Sequence, residues 1–247
     1  MFKNNKRISV RAALMQAAQG GHAESVQMLI DSGVDVNEKD VEGWTALMHA
    51  AWNGYQSVTH MLLSAGAHIE TQSIKGCTAL MYAAWNGNPG LVNSLLAFGP
   101  MTSAQDTDGW TALMYASLNG HSEVTDMLLS CGANPDIKSN DGWTALMHAA
   151  WNGHPRVIEL LLQSGTDVDT QSKDGCTALM YAAWNGHLEA VDRLLDAGED
   201  TEVKSKDGWT ALMYAKNTGR AQVAQRIRER SVKGLFSWRS PEGRCAS

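Results

Sequence analysis

The sequence predicts an all-α fold, a solenoid of about seven helix-turn-helix units stacked in file. Three observations predict it. A block reading G-[WC]-T-A-L-M-[HY]-A begins at Gly43 and returns at Gly76, Gly109, Gly142, Gly175 and Gly208, a constant step of 33 residues. A fixed step of that size marks stacked copies of one small unit that contacts only its neighbours. Each step holds two short apolar runs, each closed by glycine. The 247-residue chain is 44% hydrophobic and 19% charged, which is enough apolar material for a packed core and argues against wholesale disorder.

The elements follow in order within one step. Thr45 is a good N-cap for a helix from Ala46 to Asn53, and Gly54 suits the residue after its end. Leu47, Ala50 and Ala51 fall on one helical face, and the alanines let a neighbouring helix approach closely. A second helix, Ser57 to Ala65, carries Val58, Met61, Leu62 and Leu63 and stops at Gly66. Ala67 to Lys75 is a long polar turn. Helices this short are marginal alone in water, so stacking must supply their stability.

The end copies differ. Val10 stands in the glycine slot of the first, and Arg11-Ala12-Ala13-Leu14-Met15 replaces W-T-A-L-M. The last copy has Gln222-Val223-Ala224-Gln225-Arg226-Ile227 for its second helix. A terminal unit lacks a neighbour on one side and should be more polar there. The expected division is a solenoid over 1–230, with an N-terminal cap 1–42, internal repeats 43–207 and a C-terminal cap 208–230, then a basic tail 231–247. A longer period is also present. Trp44, Cys77 and Trp110 return 99 residues later as Trp143, Cys176 and Trp209, as expected if a three-unit block was duplicated.

Charge is uneven. Arg220 to Ser247 holds seven basic and two acidic residues, and the rest holds 13 basic and 24 acidic, within a net charge of −6. An acidic stack excludes a general nucleic-acid binder. The four cysteines, Cys77, Cys131, Cys176 and Cys245, show no C-x-x-C spacing, and Cys77 and Cys176 lie three units apart, so a reducing compartment is the simpler expectation. No secretory signal and no run of about 18 apolar residues is visible. The expected location is cytoplasmic.

The repeat resembles the ankyrin family, whose 33-residue unit opens its first helix with T-P-L-H. Gly186-His187-Leu188-Glu189-Ala190-Val191 and Gly120-His121-Ser122-Glu123-Val124 match the middle of the family's unit. Gly33-Val34-Asp35-Val36-Asn37 and Gly132-Ala133-Asn134 match its end. The likeness runs over roughly residues 8 to 230. This chain has T-A-L-M instead, so Met15, Met48, Met81, Met114, Met147, Met180 and Met213 fill the column of a histidine that hydrogen-bonds in the family. Methionine there reads as an adaptable core filler, with a methionine-lined binding surface as the other reading.

Eight of the nine tryptophans fall in two columns. Trp44, Trp110, Trp143 and Trp209 precede the capping threonine, while Trp52, Trp85, Trp151 and Trp184 end the first helix. Beside them run His49, Tyr82, Tyr115, His148, Tyr181 and Tyr214. The resemblance implies that these columns line the concave side, where partners dock. These fourteen residues are the candidate partner-binding set. One reading is structural, each ring packing on its neighbour. The other is functional, since tryptophan and tyrosine dominate interface hot spots.

Other chemistry finds little footing. His22, His121, His154 and His187 recur after the mid-repeat glycine and read as structural. His49 and His148 are three units apart, too far to share a metal. No phosphate-binding loop occurs. The chain is not expected to be an enzyme, and no cofactor or metal is expected. Acids gather on the long turns, among them Asp40 and Glu42, Asp106 and Asp108, Asp169 and Asp174, and Glu199 and Asp207. They read as solvated turn residues or as a rim that steers a basic partner. In the tail, Val232, Leu235, Phe236 and Trp238 interleave with Lys233, Arg239 and Arg244.

The expected function is a protein-protein interaction module that presents a concave aromatic surface with acidic turn tips, acting as an inhibitor or adaptor. It should be a monomer in isolation, with another protein as partner and no nucleic acid or membrane. The alternatives are a self-associating scaffold and an adaptor that brings its basic tail to a membrane surface.

Overall fold

A computed structural model of the chain describes residues 12–237, with side chains as far as Ser231. Among these residues there are fourteen helices and no strand. They fall into two compact units divided after Asn140. In the first, the helices are α1 (residues 12–19), α2 (Ala23–Asp31), α3 (Ala46–Asn53), α4 (Gln56–Ser64), α5 (Ala79–Asn86), α6 (Pro89–Leu96), α7 (Ala112–Leu118) and α8 (Ser122–Ser130). In the second they are α9 (Ala145–Asn152), α10 (Pro155–Gln163), α11 (Ala178–Asn185), α12 (Leu188–Asp196), α13 (Ala211–Asn217) and α14 (Ala221–Ser237).

Within each unit a first helix pairs with the second helix of its own repeat and lies beside the first helix of the adjacent repeat. In the first unit α5 packs against α3, α7 and α6, and in the second α11 packs against α9, α13 and α12. Second helices form a parallel layer, α4 on α6 and α6 on α8, then α10 on α12 and α12 on α14. A first helix is therefore surrounded, and its small residues allow the approach: Ala83, Ala84, Ala182 and Ala183 have no exposed surface. Leu47, Leu80, Leu146 and Leu179 are equally enclosed, each contributing roughly 1.5–3 kcal/mol of burial.

The methionine column lies in this core. Met48, Met81, Met114 and Met147 are each 1% exposed and Met180 2%. Met213 is 48% exposed, because among the described residues no further repeat packs against it. The capping threonine survives the loss of the family's histidine. Thr45, Thr78, Thr111, Thr144, Thr177 and Thr210 each accept the backbone N–H of the methionine three residues on. The Met81 thioether returns part of the missing polar contact by accepting the Thr78 N–H at 3.4 Å.

The long turns of neighbouring repeats are tied by backbone. Ile74 donates its N–H to the Glu42 carbonyl at 3.1 Å, Thr107 to Lys75 at 3.0 Å and Asn140 to Asp108 at 2.9 Å in the first unit. Lys173 donates to Asp141 and Lys206 to Asp174, both at 2.9 Å, in the second. This contact explains the invariant glycine of the sequence block. Gly175 has φ +74, and a Cβ there would stand 2.8 Å from the Lys206 nitrogen. Gly208 has φ +79 yet would meet nothing within 4 Å, since among the described residues no further turn packs on it.

The helix bounds expected for one step hold for α3, and α4 starts and ends one residue earlier than Ser57 to Ala65. Helix α14 continues to Ser237, into the first residues of the expected 231–247 tail. Trp238, Arg239, Arg244 and Cys245 lie outside the described residues, as do Val10 and Arg11 of the first copy.

Candidate functional site

Three layers make the aromatic face: a polar residue in the long turn, a ring one helical turn into the first helix, and a tryptophan at that helix's end. The polar residue accepts the backbone N–H four residues on and so closes the turn. Asp40 accepts from Trp44 at 2.8 Å, Ser73 from Cys77 at 3.2 Å, Asp106 from Trp110 at 2.8 Å, Ser172 from Cys176 at 3.2 Å and Ser205 from Trp209 at 3.2 Å. The same side chain then meets the ring nine residues on. His49 Nε2 lies 2.9 Å from Asp40 Oδ2, Tyr82 donates its hydroxyl to Ser73 at 3.3 Å, Tyr181 to Ser172 at 2.9 Å and Tyr214 to Ser205 at 3.1 Å. Tyr115 donates to Asp106 Oδ2. Sequence reasoning missed this turn column. Its signal is an Asp or Ser nine residues before every His or Tyr of the ring column, and it is short and polar enough to pass as ordinary turn chemistry.

Burial sets the electrostatics. It pushes the phenols of Tyr82 and Tyr181 up to about 12 and raises those of Tyr115 and Tyr214. It pushes His148 down to about 4, so that ring is neutral at ordinary pH. At Asp40, partial burial acts upward but is outweighed by hydrogen bonds from the Trp44 N–H, His49 and the Glu42 N–H, so the carboxyl sits below its usual value. Cys77 and Cys176 are buried thiols, raised chiefly by burial. Cys77 Sγ lies 3.8 Å from Asp106 Oδ2 and 3.9 Å from the Tyr115 hydroxyl, and Cys176 Sγ lies 3.6 Å from that of Tyr214.

The fourteen candidate residues separate by exposure. Tyr82, His148, Tyr181 and Tyr214 are buried and act as backing for the rings in front of them. His49, Tyr115, Trp44, Trp110, Trp143, Trp151 and Trp209 are half-buried. Trp52, Trp85 and Trp184 are 41%, 39% and 44% exposed. In the first unit the Trp44 ring lies 4.3 Å from Tyr82, with Trp52 edge-on to both at 6.0 and 5.6 Å. Trp85 stands edge-on to Tyr115 at 5.5 Å. These rings and Met81 enclose an open cavity of about 430 Å³ with Cys77 at its floor and Glu42 and Lys75 at its rim. In the second unit Trp143 lies 4.2 Å from Tyr181, with Trp151 edge-on to both at 5.7 Å. Trp184 stacks on Tyr214 at 5.1 Å.

The mid-repeat histidines hold this face in place from behind. His121 Nε2 donates to the Trp85 carbonyl at 2.9 Å and His187 Nε2 to that of Trp151 at 3.0 Å. Each crosses from one repeat to the next and satisfies a carbonyl at a helix end. The acidic rim needs one correction. Asp106 and Glu199 were grouped with the solvated turn acids, yet they are only 9% and 4% exposed. Asp106 is held by turn hydrogen bonds, and burial raises Glu199 to about 8, which leaves it protonated at neutral pH. Among the described residues no cluster of three or more His, Cys, Asp or Glu could hold a metal ion, and no helix is long and apolar enough to cross a membrane.

The comparisons with known proteins agree with this architecture. A family model described as ankyrin repeats (3 copies) matches residues 2–73 and 80–172, and models described as ankyrin repeats (many copies) match residues 54–96 and 161–215. The human ASB11 ankyrin repeat domain is similar in structure, with a TM-score of 0.80, 28% identity, and coverage of 88% of this chain and 96% of that one. The ankyrin repeat domain of Bcl-3, described as a unique member of the IkappaB protein family, has a TM-score of 0.76 and 28% identity over 87% of this chain and 97% of its own. No curated protein matches the sequence.

Proposed function

The chain belongs to the ankyrin repeat family, whose domains are generally protein-protein interaction modules, and from that premise we propose that it docks a partner protein on its aromatic face, as an inhibitor or an adaptor. The observation that carries this reading is the exposure of Trp52, Trp85 and Trp184, each about 40% open beside rings that are half-buried or buried. A tryptophan kept only to stabilise a junction would be covered. A ring held by packed neighbours with one side in water costs little to order on binding, which is the property of a hot-spot anchor. Acids on the turns beside it would steer a basic partner. The protein works as a monomer in this reading. The free thiols of Cys77, Cys131 and Cys176 suit a reducing compartment such as the cytoplasm.

The test is affinity capture with the wild-type chain and with a Trp85→Ala, Trp184→Ala double variant. The variant should keep its helical circular dichroism and lose a specific partner. Retention of every captured protein by a folded variant would remove the aromatic face from the docking role.

A further inference from the structure

The second unit repeats the ring cluster of the first with a change of charge. Trp44, Trp52, Tyr82, Trp85 and Tyr115 recur 99 residues on as Trp143, Trp151, Tyr181, Trp184 and Tyr214. Two pairs keep their spacing, 4.3 against 4.2 Å for Trp44–Tyr82 and Trp143–Tyr181 and 5.6 against 5.7 Å for Trp52–Tyr82 and Trp151–Tyr181, while Trp143–Trp151 closes to 5.7 from 6.0 Å and Trp184 stacks on Tyr214 at 5.1 Å where Trp85 stands edge-on to Tyr115 at 5.5 Å. Glu42, on the rim of the first cluster, becomes Asp141, and Lys75, also on that rim, becomes Asp174. Lys173 and Lys206 enter the same turns where the first unit has Ile74 and Thr107, two positions that do not line its cavity. On the rim a carboxylate has thus taken the place of a lysine, while Asp106, the carboxylate that meets Cys77 and Tyr115 within the first cluster, becomes Ser205.

Asp174 holds the position that Lys75 takes on the rim of the first unit's ring cavity. After burial, which dominates, its negative charge helps raise the Cys176 thiol and the Tyr181 phenol, and Asp207 adds to Cys176 and Tyr214. Aromatic faces carry negative potential, so rings and carboxylates in one cluster select a cation. Among cationic side chains, the planar guanidinium both stacks on a ring and pairs with a carboxylate through a fork of N–H donors, and it sheds water more readily than an ammonium.

We propose that the ring cluster of the second unit receives an arginine side chain from a basic segment of the partner protein, with Trp151 and Trp184 supplying ring surface and Asp174 the counter-charge. This rests on the docking reading above and names the chemistry of its occupant. In the first unit Lys75 opposes a cation and the Asp106 carboxylate is already engaged by the Trp110 N–H and the Tyr115 hydroxyl, so that cluster is the weaker site.

The test is isothermal titration calorimetry of the full chain with a short capped peptide in which arginines alternate with glycine-serine pairs, against the same peptide with citrulline, which keeps the shape and removes the charge. The arginine peptide should bind at least about tenfold more tightly than the citrulline peptide. Asp174→Lys and Trp184→Ala should each weaken it about tenfold, while Asp126→Lys on α8 should leave it within about twofold. Lys75→Asp should raise the stoichiometry from one peptide to two. Equal binding of the two peptides, indifference to Asp174→Lys, or no binding of either overturns the proposal. If the citrulline peptide binds equally and Trp184→Ala abolishes it, arginine selection fails and the docking reading stands. If the arginine peptide binds and neither Trp184→Ala nor Asp174→Lys alters it, the peptide sits elsewhere and both fail together.

Discussion

Single side chains in this chain are set by whether a neighbouring repeat covers them. Glu199 occupies the slot after the glycine where other repeats carry Val34, Ala67, Ala133 or Thr166. It accepts the Leu179 N–H at 2.9 Å, and its Oε2 has no hydrogen-bond partner among the described residues. Burial raises it from 4.5 to about 8, so the folded state holds a proton that the unfolded state releases above pH 4.5. The stability of the neutral acid is therefore full below about pH 4.5 and is lost progressively as pH rises to about 8. Glu199→Gln should match the wild type in urea denaturation at pH 4 and exceed it at pH 8 by several kcal/mol, since each pH unit between the two values is worth about 1.4 kcal/mol. The glycines allow a matched comparison. Gly175→Ala and Gly208→Ala both place a Cβ at positive φ, about 1 kcal/mol of strain. Only Gly175→Ala also drives it against the backbone of the next turn, so its unfolding free energy in urea denaturation should fall by about 1–2 kcal/mol more than that of Gly208→Ala.

At the scale of the helix pair, the ring columns divide into parts that hold repeats together and parts that face outward. Trp143 lies against Tyr181 of the next repeat at 4.2 Å and is half-buried, whereas Trp184 is 44% exposed. Trp143→Ala should cost about 3 kcal/mol and Trp184→Ala under about 1 kcal/mol, measured by thermal denaturation. Equal costs would show that both columns are structural. Tyr181→Phe keeps the ring and removes the hydroxyl that donates to Ser172 at 2.9 Å, for a loss of about 1 kcal/mol. The last pair shows how a repeat ends. The α13–α14 pair leaves Met213 open, and Arg226 and Arg230 on α14 pair with Asp192 and Asp196 on α12 in place of further apolar cover.

For the molecule as a whole, charge decides how partners arrive. The turns carry most of the negative charge, and residues 220–247 oppose it with a net +5. Association with a basic partner should be steered, with an on-rate that falls severalfold as salt rises from low to physiological ionic strength and an off-rate that changes little. Stopped-flow tryptophan fluorescence with the arginine peptide checks this. Light scattering at low and high salt should show a monomer at both. Oligomers that dissolve on adding salt would instead favour the self-associating scaffold.

Much of this was legible in the sequence because a repeat states its own grammar. The step of 33 residues, the capping threonine and the closing glycine are local requirements of short helices, and each recurs often enough to separate signal from accident. The methionine column reads as core filler from the residue's adaptable chemistry, and Met48, Met81, Met114, Met147 and Met180 are buried. What the linear pattern left open was which side of each ring meets water and which acid does. Trp143 and Trp184 are the same residue in neighbouring columns, and Asp106 and Asp108 are the same residue in one turn, yet in each pair one is covered more than the other. Composition and spacing determined the helical repeat, and the motifs within each step carried its resemblance to the family. Only the packing of one repeat on the next decided the exposure of Trp184 and the protonation of Glu199, because burial is a property of neighbours in space and not of order along the chain.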